Sequence, residues 1–541
     1  MIGTNNHKTA GSNLKKWEVI LPFVLILSIF NHCTSLEEQY ESNLTQDQVS
    51  ADDLEALIRN LRSAVRNALL NPFTDVITLS EIPTDELIAP TRATDWDDNG
   101  AWRQLHQHTW TADHQYITAC FNDLSGVVYA ATDILRYNPS KEQEALVRFY
   151  RALAMYWQLD LFDQVPYRDE GESTLEPARV RKGKEAFDYI ISELSVIDDD
   201  LPEGPATKPN KNALKVLLMK CYLNKAVYAH RESPSFEPSD MNKVIELADE
   251  IINSNKYQLP DNYFDNFAPD NDMNGSENIF TEENIPGVQL DPDANWVLFY
   301  TVTVLHYNST PGGFNGWATL SDFYDLFEED DKRKGQAYSY AGAPTNPGNR
   351  INLGFLEGQQ YNLFDDSPLE DRKGNPLIYT REVSIIEPGK NYEVTGIRPQ
   401  KYAFDWKSVI ETQSANIGND WVYFRLADVL LMKAEAILRG GAPTAAGPYG
   451  NNALEIVNYL RTHSSRGASQ LAAIDLDILL DERGRELWLE CWRRQDLIRF
   501  GKFLDPIQEK DYISHYRNLI FPIPNQQLGV NKKYLVQNPG Y

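Results

Sequence analysis

The sequence predicts a mainly α fold. Tetratricopeptide-like helix pairs stack as an α/α superhelix, interrupted by an irregular, loop- and hairpin-rich insertion. Three observations predict this. Apolar residues recur at the helical period up to about residue 255 and again from about 421. Small residues such as Ala152, Ala226 and Ala434 stand where paired helices would cross. Between 256 and 420, Gly, Pro, Asn and Asp are frequent and helical periods are few. The helical scaffold is therefore placed at about 45–255 and 421–541, and the loop-rich, ligand-binding insertion at about 256–420.

The first helix is expected over Ala51–Leu70, with Leu54, Leu57, Ile58, Leu61, Val65 and Leu69 on one face. Thr118–Leu135 follows the same period. Ser140, with Gln143 three residues on, reads as a capping box that opens a helix running to Phe162. Lys184–Ile197 is its partner. Further pairs are Ala213–Tyr228 with Met241–Asn253, and Trp421–Leu438 with Leu454–His463. Gly440-Gly441 stops the first helix of that last pair. In the insertion, Leu320–Phe327 reads as a helix, and the alternating runs Val297–Leu305 and Tyr379–Ile386 read as hairpins. Loops on a rigid scaffold carry binding. The insertion and the Ile82–Trp110 stretch are thus where a site is expected.

Composition narrows the function. The chain has 541 residues, 42% of them hydrophobic and 11% aromatic, enough to bury a substantial core. Its formal net charge of −27 repels phosphate backbones and argues against nucleic acid as a partner. Lys8, Lys15 and Lys16 precede an uncharged 12-residue run, Val19–Phe30. That run is short for a membrane span and fits the core of a cleaved signal peptide covering 1–32. Cys33 follows it, as the acylated cysteine of a bacterial lipoprotein would, although His32 stands where a small residue is usual. An ordinary signal cut elsewhere is the alternative. Cys120, Cys221 and Cys491 lie in helical patterns among large apolar residues and read as buried free thiols. No CxxC pair is present for a thiolate zinc site.

Two stretches carry the chemistry of sugar recognition. Aromatic faces meet the C–H face of a pyranose, while carboxylates, amides and Arg pair with its hydroxyls. Arg92, Trp96, Asp97, Asn99 and Trp102 supply these groups within eleven residues. Tyr307, Asn315 and Trp317 form the second candidate, with Gly312-Gly313 between them. For each tryptophan, core packing is the competing reading. His106, His108 and His114 could bind zinc, but no H-E-x-x-H motif accompanies them. Asp270, Asp272, Asn274 and Gly275 copy half of a calcium loop. Its twelfth position is Thr281 instead of Glu, so the only cofactor left open is a weak calcium site.

The stretch Glu482–Phe503, ERGRELWLECWRRQDLIRFGKF, mixes acids, arginines and tryptophans on what reads as one helix. Glu482, Glu486, Glu490 and Arg494 fall at steps of four. A carboxylate di-metal cage would use Glu-x-x-His pairs, and no His is present, so a structural salt lattice is expected.

Six stretches taken in order resemble one family. They are Arg148–Tyr156 with Val165-Pro166, Asn274–Phe280, Asn315–Phe327 with Asp331, Phe424–Ala436, Glu482–Phe503, and Phe521–Pro524 with the terminal Gln537–Tyr541. Together they are similar to the SusD/RagB family of outer-membrane nutrient-binding lipoproteins. The resemblance covers essentially the whole chain after the leader. It implies a SusD-like superhelix, a cell-surface location through a lipid anchor on Cys33, and capture of an oligosaccharide or sometimes a peptide. It also implies a SusC-like TonB-dependent outer-membrane transporter as partner, with no catalytic activity. Two other classes stay open: a surface glycoside or peptide hydrolase using the His cluster or the acids near Asp95–Asp98, and a helical-repeat scaffold for protein partners.

Overall fold

Ser50 accepts a hydrogen bond from the Asp53 amide, and the Asp53 carboxylate accepts from Ser50 in return, so the first helix begins at Ala51. The computed structural model describes residues 49–285, 296–408 and 417–541. The leader and Cys33 lie outside the described residues.

The N-terminal helices are α1 (Ala51–Leu70), α2 (Val76–Glu81), α3 (Ala101–His106), α4 (Gln115–Leu135), α5 (Lys141–Phe162), α6 (Gly183–Ser195), α7 (Lys211–Ala229) and α8 (Pro238–Asn253). The Ser140/Gln143 capping box is formed at the start of α5. After the short α9 (Asn271–Asn274), α10 (Trp296–Val304) and α11 (Ser321–Tyr324) come α12 (Leu426–Leu438), α13 (Ala453–Thr462), α14 (Leu476–Leu487), α15 (Arg493–Arg499) and α16 (Asn525–Val530). Sequential packing runs α1 on α4, α4 on α5, α5 on α6, α6 on α7, α7 on α8, α8 on α12 and α12 on α13. Each amphipathic helix thus buries its face on neighbours in a stack, as repeat helices do. The fold is mainly α, as the periodicity predicts.

The sheets are small. β1 (Leu87–Ile88) pairs with β5 (Ala318–Thr319), and β2 (Gln164–Tyr167) with β3 (Arg179–Lys182). β4 (Asn278–Glu282) pairs with β11 (Trp421–Arg425). β6 (Gly335–Gln336), β7 (Leu353–Leu356) and β10 (Arg398–Gln400) form a three-stranded sheet, and β8 (Gly358–Gln359) pairs with β9 (Ile378–Tyr379).

Three local expectations are corrected. Val297–Leu305 is not a hairpin: all but Leu305 belongs to α10, where Val297, Tyr300 and Val304 are buried. Thr301 and Thr303 alternate with Tyr300, Val302 and Val304, which reads as a strand, yet the helix buries these polar and apolar residues alike. The helix expected over Trp421–Leu438 starts only at Leu426, because Trp421–Arg425 is spent pairing with β4. The stretch from Glu482 onward is two helices, not one. Leu489 (φ 58°) and Cys491 (φ 70°) turn the chain between α14 and α15.

That turn is held from far away in sequence. The amide of Cys491 donates to Glu81 Oε1 at 2.6 Å, and the Trp492 ring stacks on Trp157 with centroids 5.1 Å apart. The charges around the turn form a buried lattice. Arg333 binds Asp331, Glu482 and Glu486; Arg425 binds Glu277, Glu486 and Glu490; Arg466 binds Glu277 and Glu486; Lys401 binds Glu490. Burial alone would raise Glu482, yet Arg333, Arg485 and Arg461 hold its carboxyl at about 2. These groups brace the core. The Cys491 thiol is buried and pushed well up, as inert thiols are.

Candidate functional site

Pairing of β1 with β5 brings the two stretches expected to recognise sugar together. Leu87 faces Thr319 and Ile88 faces Ala318, so the loops Ala89–Gly100 and His306–Trp317 leave this ladder as neighbours. The first loop turns sharply at Arg92–Asp95, whose backbone groups exchange hydrogen bonds at 3.0 Å in both directions. The second loop runs back along α10: the Gly313 amide donates to His306 O, Asn315 to Leu305 O and Gly316 to Thr303 O. Here glycine supplies room. A Cβ at Gly313 would meet Leu305 O at 2.0 Å, and one at Gly316 would meet Trp96 Cζ2 at 2.1 Å.

Between the loops opens a cavity of about 780 Å³. Phe73, Trp96, Trp102, Tyr116, Tyr307 and Phe314 wall it, with Thr74, Thr94, Asp95, Asp98 and Gln115 between them. The rings form a continuous array: Phe73 lies 6.4 Å from Trp96, Trp96 lies 5.3 Å from Trp102, and Trp102 lies 4.8 Å from Tyr116. Half-buried Trp96 is fixed by its Nε1 donating to Phe314 O at 2.9 Å. Tyr307 donates its hydroxyl to Asp95 Oδ2. The back of its ring carries the Arg372 guanidinium, 3.9 Å from the centroid. Arg372 binds Glu393, which also binds the buried His306 at 3.1 Å. His306 Nδ1 accepts the Asn308 amide, so Nε2 is the nitrogen that donates to Glu393. Burial and Asp95 together push the Tyr307 hydroxyl above its ordinary range, so it stays a donor at neutral pH.

The expected site residues divide. Trp96 and Tyr307 line the cavity. Trp102 also borders it but is only 1% exposed, and its Nε1 donates to Asp98 at 2.6 Å, so it is floor instead of platform. Asp97 is paired with Arg103 at 2.5 Å, and exposed Asn99 (φ 54°) stands in the turn that leads into α3, outside the lining. The expectation that Arg92, Asn315 and Trp317 face a ligand is corrected, because all three are fully buried. Arg92 donates to Tyr392 O and Thr395, which ties the first loop to the insertion. Asn315 accepts from Arg398 at 2.9 Å, and Trp317 packs edge-on between Trp102 and Tyr300. They are supports beneath the cavity.

Residue reading missed Phe73, Tyr116 and Gln115. Phe73 follows α1, and the other two belong to the first turn of α4, so no local pattern marks them. The sequence marks Asp95 and Asp98 only as candidate acids of the hydrolase alternative, not as ligand-orienting groups, and nothing in it distinguishes Phe314.

The three histidines do not converge. His106 contacts Ile82 O and Gln508 O, His108 contacts Pro83 O, and His114 contacts Ala101 O. Burial lowers all three, His108 to about 3, so they are neutral backbone pins. In the half calcium loop, Asn271 binds Asn266 O and Asp420 O, and Glu277 is spent on Arg425 and Arg466. A second groove, about 460 Å³, lies between α4 and α16 and includes Phe121, Tyr129, Leu175 and Val530. Its rings, Phe121, Tyr129 and Tyr167, are fewer than the six of the larger cavity, and it also includes Arg168 and Glu176.

The comparisons with known proteins come to the same architecture. A sequence model of the SusD family matches residues 253–541. The chain belongs to the SusD family. Its SusD relatives include the starch-binding protein SusD of Bacteroides thetaiotaomicron, 27% identical over 516 residues, covering 85% of this chain and 84% of that protein. Among solved SusD-type structures, a superfamily protein from Parabacteroides distasonis superposes with a TM-score of 0.67 at 20% identity, covering 92% of this chain and 100% of that one. Surface glycan-binding protein A of Bacteroides thetaiotaomicron, solved with laminarihexaose, gives 0.62 at 16% identity, covering 90% and 99%. At these identities the superpositions establish the SusD fold of this chain and nothing finer.

Proposed function

We propose that this chain is a non-catalytic, cell-surface glycan-binding lipoprotein that captures oligosaccharide and hands it to a SusC-like TonB-dependent outer-membrane transporter. The observation that carries the binding step is the cavity of about 780 Å³ walled by six aromatic rings with Asp95 and Asp98 among them. Rings bury the apolar face of a sugar, and carboxylates and hydroxyls orient its hydroxyl groups. The starch-binding relative and the neighbour solved with laminarihexaose support a glycan over a peptide. Anchoring through Cys33 and partnership with a transporter rest on the leader sequence and on family membership. No helix among the described residues is long and apolar enough to cross a membrane.

Affinity electrophoresis through gels containing starch, laminarin or other glycans tests capture: retardation supports it. Prolonged incubation with the same glycans, read by reducing-end release, tests the hydrolase alternative. Cleavage would replace the proposed role.

A further inference from the structure

The cavity wall has a charge sign. Asp95 and Asp98 are exposed carboxylates in its lining, and the remaining polar groups there, on Thr74, Thr94, Gln115, Tyr116 and Tyr307, are neutral. Among the described residues no Lys, Arg or His side chain lines it. The guanidinium groups of the surrounding loops are committed elsewhere. Arg103 is paired with Asp97, Arg372 with Glu393, and Arg92 and Arg398 are buried on carbonyls, Thr395 and Asn315.

We infer that the cavity takes glycans built of uncharged sugars and discriminates against those carrying uronate or sulfate groups. This rests on the glycan-binding reading above. A hydroxyl can donate to Asp95 or Asp98 in a charge-assisted bond. Both carboxylates are already oriented, Asp95 by the Tyr307 hydroxyl and Asp98 by Trp102 Nε1 at 2.6 Å. An anionic sugar would set like charges together in a concave site, and no guanidinium is offered to pair with it. The chain's net charge of −27 adds a long-range repulsion that salt screens.

The test is isothermal titration of the purified protein with four probes: soluble starch, laminarin, polygalacturonate and a sulfated galactan, each at low and high ionic strength. At least one neutral probe should bind at least about tenfold more tightly than either anionic probe at low salt, with the gap narrowing as salt rises. The double variant Asp95→Asn/Asp98→Asn should raise the anionic-to-neutral affinity ratio roughly tenfold, its melting curve confirming the fold. Equal or tighter binding of an anionic probe, abolished by Trp96→Ala, would overturn the inference and leave glycan capture at this cavity standing. An unchanged ratio in the double variant would also overturn it. Binding of no probe would overturn the parent reading and this inference with it.

Discussion

The Leu489 amide donates to Glu86 Oε1 at 2.5 Å across 403 positions of sequence. Leu489 holds φ 58°, a conformation a branched side chain adopts only under constraint. The carboxylate therefore fixes the break between α14 and α15. Replacing Glu86 with Ala strands a buried amide beside a strained residue and should cost on the order of 2–4 kcal/mol. Urea unfolding at neutral pH measures it. A loss below about 0.5 kcal/mol would mean that the turn is held by its other contacts.

The buried lattice makes stability depend on pH in two directions. Burial raises Glu435 and Glu482, but the arginines around them (Arg499 and Arg439, and Arg333, Arg485 and Arg461) outweigh that and hold both carboxyls at about 2. Their folded values lie below the unfolded ones. The stability they contribute is present above about pH 4.5 and is lost as pH falls toward 2. Asp420 runs the other way: burial pushes it up to about 7. Below its unfolded value, about 4, it costs nothing; stability falls as pH rises from there to about 7 and levels off above. Asp420→Asn should remove the fall in stability between about pH 4 and pH 7 and leave the loss below about pH 4 unchanged. Melting temperatures from pH 3 to 9 decide this.

Trp317→Ala should destabilise by about 3–5 kcal/mol, because a fully buried indole packed against Trp102 and Tyr300 leaves a cavity. Gly316→Ala acts differently. Its Cβ would collide with the Trp96 ring and displace it, so ligand binding should fall more than the melting point does. Titration paired with melting curves separates the two. Equal behaviour of the two variants would count against the division into support and lining.

Cys33→Ala should release the protein from the membrane fraction, since acyl chains contribute about 0.8 kcal/mol per buried CH₂. Fractionation of cells that express the variant checks this. Continued membrane association would point to an anchor other than Cys33.

The helical stack was legible because an amphipathic helix writes its face into a period. Leu54, Leu61, Val65 and Leu69 gave α1 its bounds, and Ser140 and Gln143 gave α5 its start. The break at Leu489 was not legible, because the carboxylates that hold it sit on Glu81 and Glu86, at the far end of the chain. α10 was misread because Thr301 and Thr303 alternate with apolar neighbours, a strand-like pattern, although both kinds of residue are buried in the helix. The site was legible as two stretches, and Trp96 and Tyr307 stand in its lining. Which other residues face the cavity was not legible. Arg92, Asn315 and Trp317 have the right chemistry for a sugar, but distant partners bury them: Thr395 and Tyr392 for Arg92, Arg398 for Asn315, and Trp102 and Tyr300 for Trp317.

The central claim, sugar capture on the aromatic cavity, is tested most directly by isothermal titration of a binding glycan against wild-type protein and Trp96→Ala. Stacking losses on aromatic platforms run at ~1–3 kcal/mol, so affinity should fall roughly five- to 150-fold with the melting temperature held within a few degrees. Undiminished binding by Trp96→Ala would contradict the account and place the ligand elsewhere on the molecule.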